Sequence, residues 1–172
     1  MVLLYFFFFD DNFNVQENSN SIDLDLFFLD DNKIIHLATA GMSLHNLNLE
    51  INPFTYSLNM REVLSYRRIF AYDINNSIER NNLTSLSDYT AFFELMAKRG
   101  FYSYDKVNID DKEDYTFQLI TKPKFDCKII IDSSVELGNL DSSRSIEYNL
   151  DFLKSKTVFP EDYSEFDLRN FI

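Results

Sequence analysis

His36 and His45 are the only histidines in the chain. With Lys33 close by, two imidazoles and an ammonium could share the proton transfers of RNA cleavage. The segment Gly41-Met42-Ser43-Leu44-His45 approaches a nucleophile elbow, but the closing glycine is absent and a strand rather than a helix should follow. A β-turn is the simpler reading. Asp10, Asn12 and Asn14 copy the first three ligands of a calcium loop. Val15 stands where its glycine belongs and Ser21 where its glutamate belongs, and no helix precedes it. Cys127 is the single cysteine, so zinc has too few soft ligands. Gly41, Gly100 and Gly138 are too far apart for a phosphate-cradling loop. Arg61, Arg67 and Arg68 could meet an anion, yet a solvated helix face suits them better. No cofactor, no metal and no enzymatic activity are expected.

The charge is more informative. Of 172 residues, 28 are Asp or Glu and 16 are Lys or Arg, leaving −12. Such a field repels phosphate and attracts basic surfaces, which also weighs against RNA as a substrate for the histidines. A content of 45% hydrophobic residues, with 18 Phe and 10 Tyr, supports a packed domain rather than an acidic polymer. A lone cysteine fits a reducing cytoplasm. The apolar start, Met1 to Phe9, lacks the basic flank of a leader and the length of a membrane span, so it reads as a buried strand.

The elements that must carry these residues follow from periodicity. Val2 to Phe9 is apolar on both faces, as in a central strand. Residues 21–29 alternate, with Ile22, Leu24 and Leu26 opposite Asp23 and Asp25. Asp30-Asp31-Asn32 turns the chain into a strand from Lys33 to Ala40, and another runs from Leu44 to Ile51, ended by Pro53. Met60, Val63, Tyr66, Phe70, Ile74 and Ile78 then form a stripe at helical spacing, with Asn59 and Glu62 as a capping box. A second helix spans Leu86 to Arg99, opened by Ser85 and closed by Gly100. Strands return at Phe101 to Ile109, Tyr115 to Thr121 and Phe125 to Asp132, with a turn at Lys122-Pro123-Lys124. Ser142 to Lys156 is expected as a third helix. Segregated runs of strands and helices indicate one α+β domain over 1–172, a mostly antiparallel sheet of about seven strands with two to three helices.

The acid concentrates in the β-rich ends: −7 over 1–60 and −6 over 110–172, against +1 between. If strands alternate direction, Asp10 and Asp11 reach the same edge as Asp110, Asp111, Glu113 and Asp114. Asp30, Asp31 and the Lys122-Pro123-Lys124 turn lie at the other edge. A small acidic α+β chain without catalytic equipment resembles the immunity proteins of bacterial contact-dependent growth inhibition and related polymorphic toxin systems. The resemblance rests on size, charge and missing motifs. It implies a cytoplasmic inhibitor that covers a basic toxin, above all a nuclease, without touching nucleic acid or membrane. Asp10, Asp11, Asp110, Asp111, Glu113 and Asp114 are the candidate contacts, with Tyr163 and Phe166 as a second, aromatic set. An acidic secretion chaperone and a nucleic-acid mimic are the rival readings. The mimic is disfavoured because the acids sit in turns rather than in rows.

Overall fold

The computed structural model describes residues 24–30, 33–43, 47, 49, 53–67, 69–78, 85–124, 128–130, 145–147 and 152–172. The expected strand at Val2–Phe9, Asp10 and Asp11, the calcium-like segment, His45 and Cys127 lie outside them.

Strands β1 (Asp25–Asp30) and β2 (Lys33–Ala38) form the expected antiparallel hairpin, in register from Asp25↔Ala38 to Asp30↔Lys33. Then α1 (Pro53–Ser65), β3 (Tyr72–Ile74) and α2 (Leu86–Ala97) make a crossover to β4 (Phe101–Lys106), which lies parallel to β2. β5 (Thr116–Pro123) returns antiparallel to β4. One edge of β5 is shared: β3 pairs with its second half, and β9 (Glu165–Asp167) with its first. β8 (Leu153–Lys154) adds a parallel edge beside β1. The resulting seven-stranded sheet is mostly antiparallel, with β6 (Lys128–Ile130) and β7 (Ser145–Glu147) paired separately. The α+β class read from the sequence is the class observed.

Both faces of the central strands are covered, which explains their apolar runs. On one face Phe27, Ile34 and Phe101 pack beneath Val63 of α1 and Met96 of α2. On the other, Phe28, Ile35, Leu37, Tyr104, Phe117 and Leu119 meet Phe159, Phe166 and Leu168 from the C-terminal segment. That segment is anchored by the buried carboxylate of Asp30, which accepts from the Phe159 amide at 2.7 Å, and by the Tyr104 hydroxyl donating to the Pro160 carbonyl at 2.8 Å. Burial pushes the Tyr104 phenol well above its ordinary pKa.

α2 begins as expected. Ser85 is extended and its side chain accepts from the Asp88 amide at 3.1 Å, while Gly100 takes φ +95° just past the helix.

Several sequence expectations are corrected. Pro53 opens a helix instead of ending a strand, as its missing amide permits at a first helical position. Asn59 is accordingly a buried residue inside α1, not its cap. The helix also stops at Ser65, so the stripe from Met60 to Ile78 is not one helix. The Arg99 guanidinium donates to the carbonyls of Val63 at 2.9 Å and Leu64 at 3.4 Å, satisfying the helix end from outside. The chain then re-enters the sheet as β3. Finally, the described parts of Ser142–Lys156 include strands β7 and β8 and no helix, consistent with the poor helix propensity of its Ser, Asn and Asp. Of the expected strand Leu44–Ile51, the described Leu47 and Leu49 lie in no strand.

Candidate functional site: an acidic turn and a buried polar line

The loop joining β4 to β5 carries Asp110, Asp111, Glu113 and Asp114. Its conformation is held by the side chains that could also make it functional. The Asp111 carboxylate accepts from the Glu113 amide at 3.0 Å, and that of Asp114 from the Thr116 amide at 2.9 Å. These are the short-range bonds that favour Asp in turns. The Ser43 amide donates to the Lys112 carbonyl at 2.9 Å. The Tyr115 hydroxyl donates to the Ser43 carbonyl at 2.9 Å, and lies 3.3 Å from Glu113 Oε2. Beneath the turn Lys106 is fully buried, with its Nζ donating to the Asp111 carbonyl at 2.6 Å. Desolvation lowers the Lys106 pKa, although Asp114, Asp111, Asp105 and Glu113 pull it back up. Arg169 stands 4.9 Å from the Tyr115 ring and is gripped by Asp167, whose carboxylate it holds below its ordinary pKa. Asp110, Asp111 and Glu113 are exposed residues, and so is Ile109 beside them in the chain, at 48%.

Strand directions place this turn as the sequence argument did. β1 ends at Asp30 beside Lys33, and Ile34 pairs with Phe101 at the start of β4. The Asp110–Asp114 turn follows the other end of β4, so it is opposite Asp30. Lys124 follows the end of β5, on the Asp30 side.

The second candidate set separates. Phe166 is only 8% exposed, stacked with Phe159, Phe171 and Tyr104, so its ring belongs to the core. Tyr163 is half-buried at φ +64°, a conformation rare for residues other than glycine. The Lys122 ammonium sits 5.2 Å from its ring, and burial raises its pKa. Lys122 is six positions along β5 from Thr116, about 20 Å at strand rise. The Tyr163 ring thus packs toward the Lys122 end of β5, while its carbonyl lies 3.5 Å from the Gln118 side chain.

A second constellation, missed in the sequence, lies under α2. His36 Nδ1 is 2.5 Å from Ser103 Oγ, and its Nε2 is 3.0 Å from Asp25 Oδ1. The carboxylate calls for a proton on Nε2, and in the neutral imidazole Nδ1 then accepts from the serine hydroxyl. Phe27, Phe92 and Phe93 surround the imidazole. Nearby, the Tyr89 hydroxyl donates to Asp105 at 2.6 Å.

The residue types are those of a nucleophilic triad, but the geometry does not suit one. His36 and Ser103 are both 0% exposed, so a substrate carbonyl has no approach to Oγ. The line instead ties three neighbouring strands together. The hairpin turn already made Asp25 a diagonal neighbour of His36; only the crossover brought Ser103 alongside. Lys33, grouped with His36 in sequence, lies an odd number of positions away on the opposite face. It bridges Glu161 and approaches the Tyr102 ring. The Gly41 segment is indeed a turn: Ala40 and Gly41 have φ +46° and +67°, closed by the Met42 amide on the Thr39 carbonyl.

Among the described residues no group of His, Cys, Asp and Glu is placed to hold a metal, and no helix is long and apolar enough to cross a membrane. The fold and its exposed turn define an α+β domain with an acidic end. No protein-family model, curated protein or solved structure matches the chain.

Proposed function

We propose that the chain is an immunity-type inhibitor, a cytoplasmic protein that captures a basic toxin, of nuclease type, with the acidic end of its sheet. The observation that carries this reading is the β4–β5 turn: Ile109, Asp110, Asp111 and Glu113, all exposed, on a loop fixed by its own hydrogen bonds. A nuclease site is positive because it holds phosphate, and carboxylates can take the place of that charge. Opposite fields also accelerate encounter, to about 10⁸–10⁹ M⁻¹s⁻¹ at low salt. A preordered loop loses little entropy on docking, and an exposed apolar side chain next to charged ones in the chain suits a contact.

The rivals draw less support. A chaperone needs a long apolar groove, whereas the exposed large apolar residues described, Leu64, Ile69, Phe92, Ile109 and Val158, fall on different elements. A nucleic-acid mimic needs rows of carboxylates, whereas these acids share a turn with Lys112 above Lys106.

The test is stopped-flow association with the basic product of the neighbouring gene over a range of salt. The rate should fall steeply as salt rises. Asp110→Lys with Asp111→Lys should slow association at least tenfold and leave dissociation less affected. A salt-independent rate, or an unchanged rate for the double variant, overturns the assignment.

A further inference from the structure

The end of the molecule opposite the acidic turn carries exposed arginines and apolar side chains, with Glu62 beside Arg61 and Asp73 paired to Lys124. Residues Arg61 and Leu64 lie one turn apart on the last part of α1, and Arg67 and Ile69 follow directly. All four are exposed, Leu64 at 46% and Ile69 at 75%. Neither Arg61 nor Arg67 makes an ion pair or side-chain hydrogen bond to a described residue, unlike Arg99, which is committed to the carbonyls of Val63, Leu64 and Leu95. This segment belongs to the start of β4: the Phe70 amide donates to the Lys98 carbonyl at 2.8 Å, three residues before Phe101. The acidic turn follows the far end of β4, six residues or about 20 Å away. One end thus presents Ile109 with Asp110 and Asp111, and the other Ile69 and Leu64 with Arg61 and Arg67.

We propose that these ends bind each other between copies, the acidic turn of one molecule seating on the α1 end of the next. Charge complementarity selects a second copy as the occupant. The total of −12 per chain opposes approach at a distance. Salt screens that repulsion over about 8 Å at physiological ionic strength, leaving the contact charges to decide. Because two different patches meet, the contact is head-to-tail and leaves one patch of each kind unused, so growth continues unless the ring closes. Each patch is small, which places the interaction among weak, concentration-dependent contacts. The inference uses only the chain itself and does not depend on the toxin reading.

Sedimentation velocity on the purified full chain tests it. The wild-type average mass should rise with concentration and fall with added salt. A head-blocked variant, Ile109→Ser with Asp110→Ser, and a tail-blocked variant, Arg61→Ser, Arg67→Ser and Ile69→Ser, should each stay monomeric. Their equimolar mixture should give dimers and nothing larger, because only one productive pairing remains. Thermal melts matching wild type exclude misfolding, since all five side chains are exposed. A wild-type monomer at all concentrations, association of either blocked variant alone, or a mixture without dimers overturns the proposal. The acidic turn is also the proposed toxin contact, so toxin binding is read separately on the tail-blocked variant, which leaves that turn intact.

Discussion

The line Asp25–His36–Ser103 permits a thermodynamic cycle whose outcome follows from burial. Ser103→Ala removes one oxygen and opens almost no cavity. It leaves Nδ1 of a ring with 0% exposure without its hydrogen-bond partner. An orphaned buried acceptor costs about 1–3 kcal/mol. His36→Phe keeps a ring among Phe27, Phe92 and Phe93 but orphans the Ser103 hydroxyl by a similar amount. It also loses the bond to Asp25, whose side chain is 18% exposed and can turn to water. The double variant removes both members of the buried pair, so it should cost no more than His36→Phe alone. The two substitutions should therefore couple by about 1–2 kcal/mol. For a chain of this size each kcal/mol moves Tm by about 2–4 °C. Urea unfolding should show lower midpoints for the single variants with unchanged m values. Exposed Thr157→Ala, the control, should stay within about 0.5 kcal/mol of wild type. Additive losses, or a Ser103→Ala variant as stable as wild type, would refute the inferred hydrogen bond.

Two further expectations concern the helices. The Glu94 carboxylate accepts from the Tyr72 hydroxyl at 2.6 Å and from Thr90 at 2.8 Å, and the Tyr72 bond above all lowers its pKa. A lowered carboxylate pKa contributes stability above its unfolded value, lost as pH falls through the folded value. Glu94→Gln should thus be less stable than wild type at neutral pH, with the gap narrowing as the pH is taken below the ordinary glutamate range in urea melts; a gap independent of pH counts against the bond. Arg99→Met should loosen the end of α1 by about 1–3 kcal/mol, seen as faster amide exchange at Tyr66 and Phe70, whose amides donate to carbonyls at that end of the helices. Unchanged protection there would mean that the guanidinium does not hold the helix end.

The extent to which sequence sufficed differs between elements. Ser85 and Gly100 announced α2 because capping is a local transaction between adjacent backbone groups. The β1–β2 hairpin and the β4–β5 turn were legible because Asp-rich turns and period-two alternation act over few residues. α1 misled for the opposite reason. Its apolar stripe continues past Ser65, but Arg99, distant in sequence, takes up the carbonyls that end the helix. The same kind of distance hid Ser103 from His36.

The residue order alone settled the α+β class, the acid in the connections and the poverty of catalytic groups. These depend on composition and on periodicity within one element. Tertiary structure decided which groups meet. It buried Phe166 in the core, put Lys106 under the acidic turn, and parted Lys33 from His36 by the pleat of a single strand. It also set the exposed segment with Ile109, Asp110 and Asp111 and that with Arg67 and Ile69 at opposite ends of β4. Neighbourhood across a sheet is set by strand order and register, and those are fixed by how both faces are packed rather than by any short run of residues.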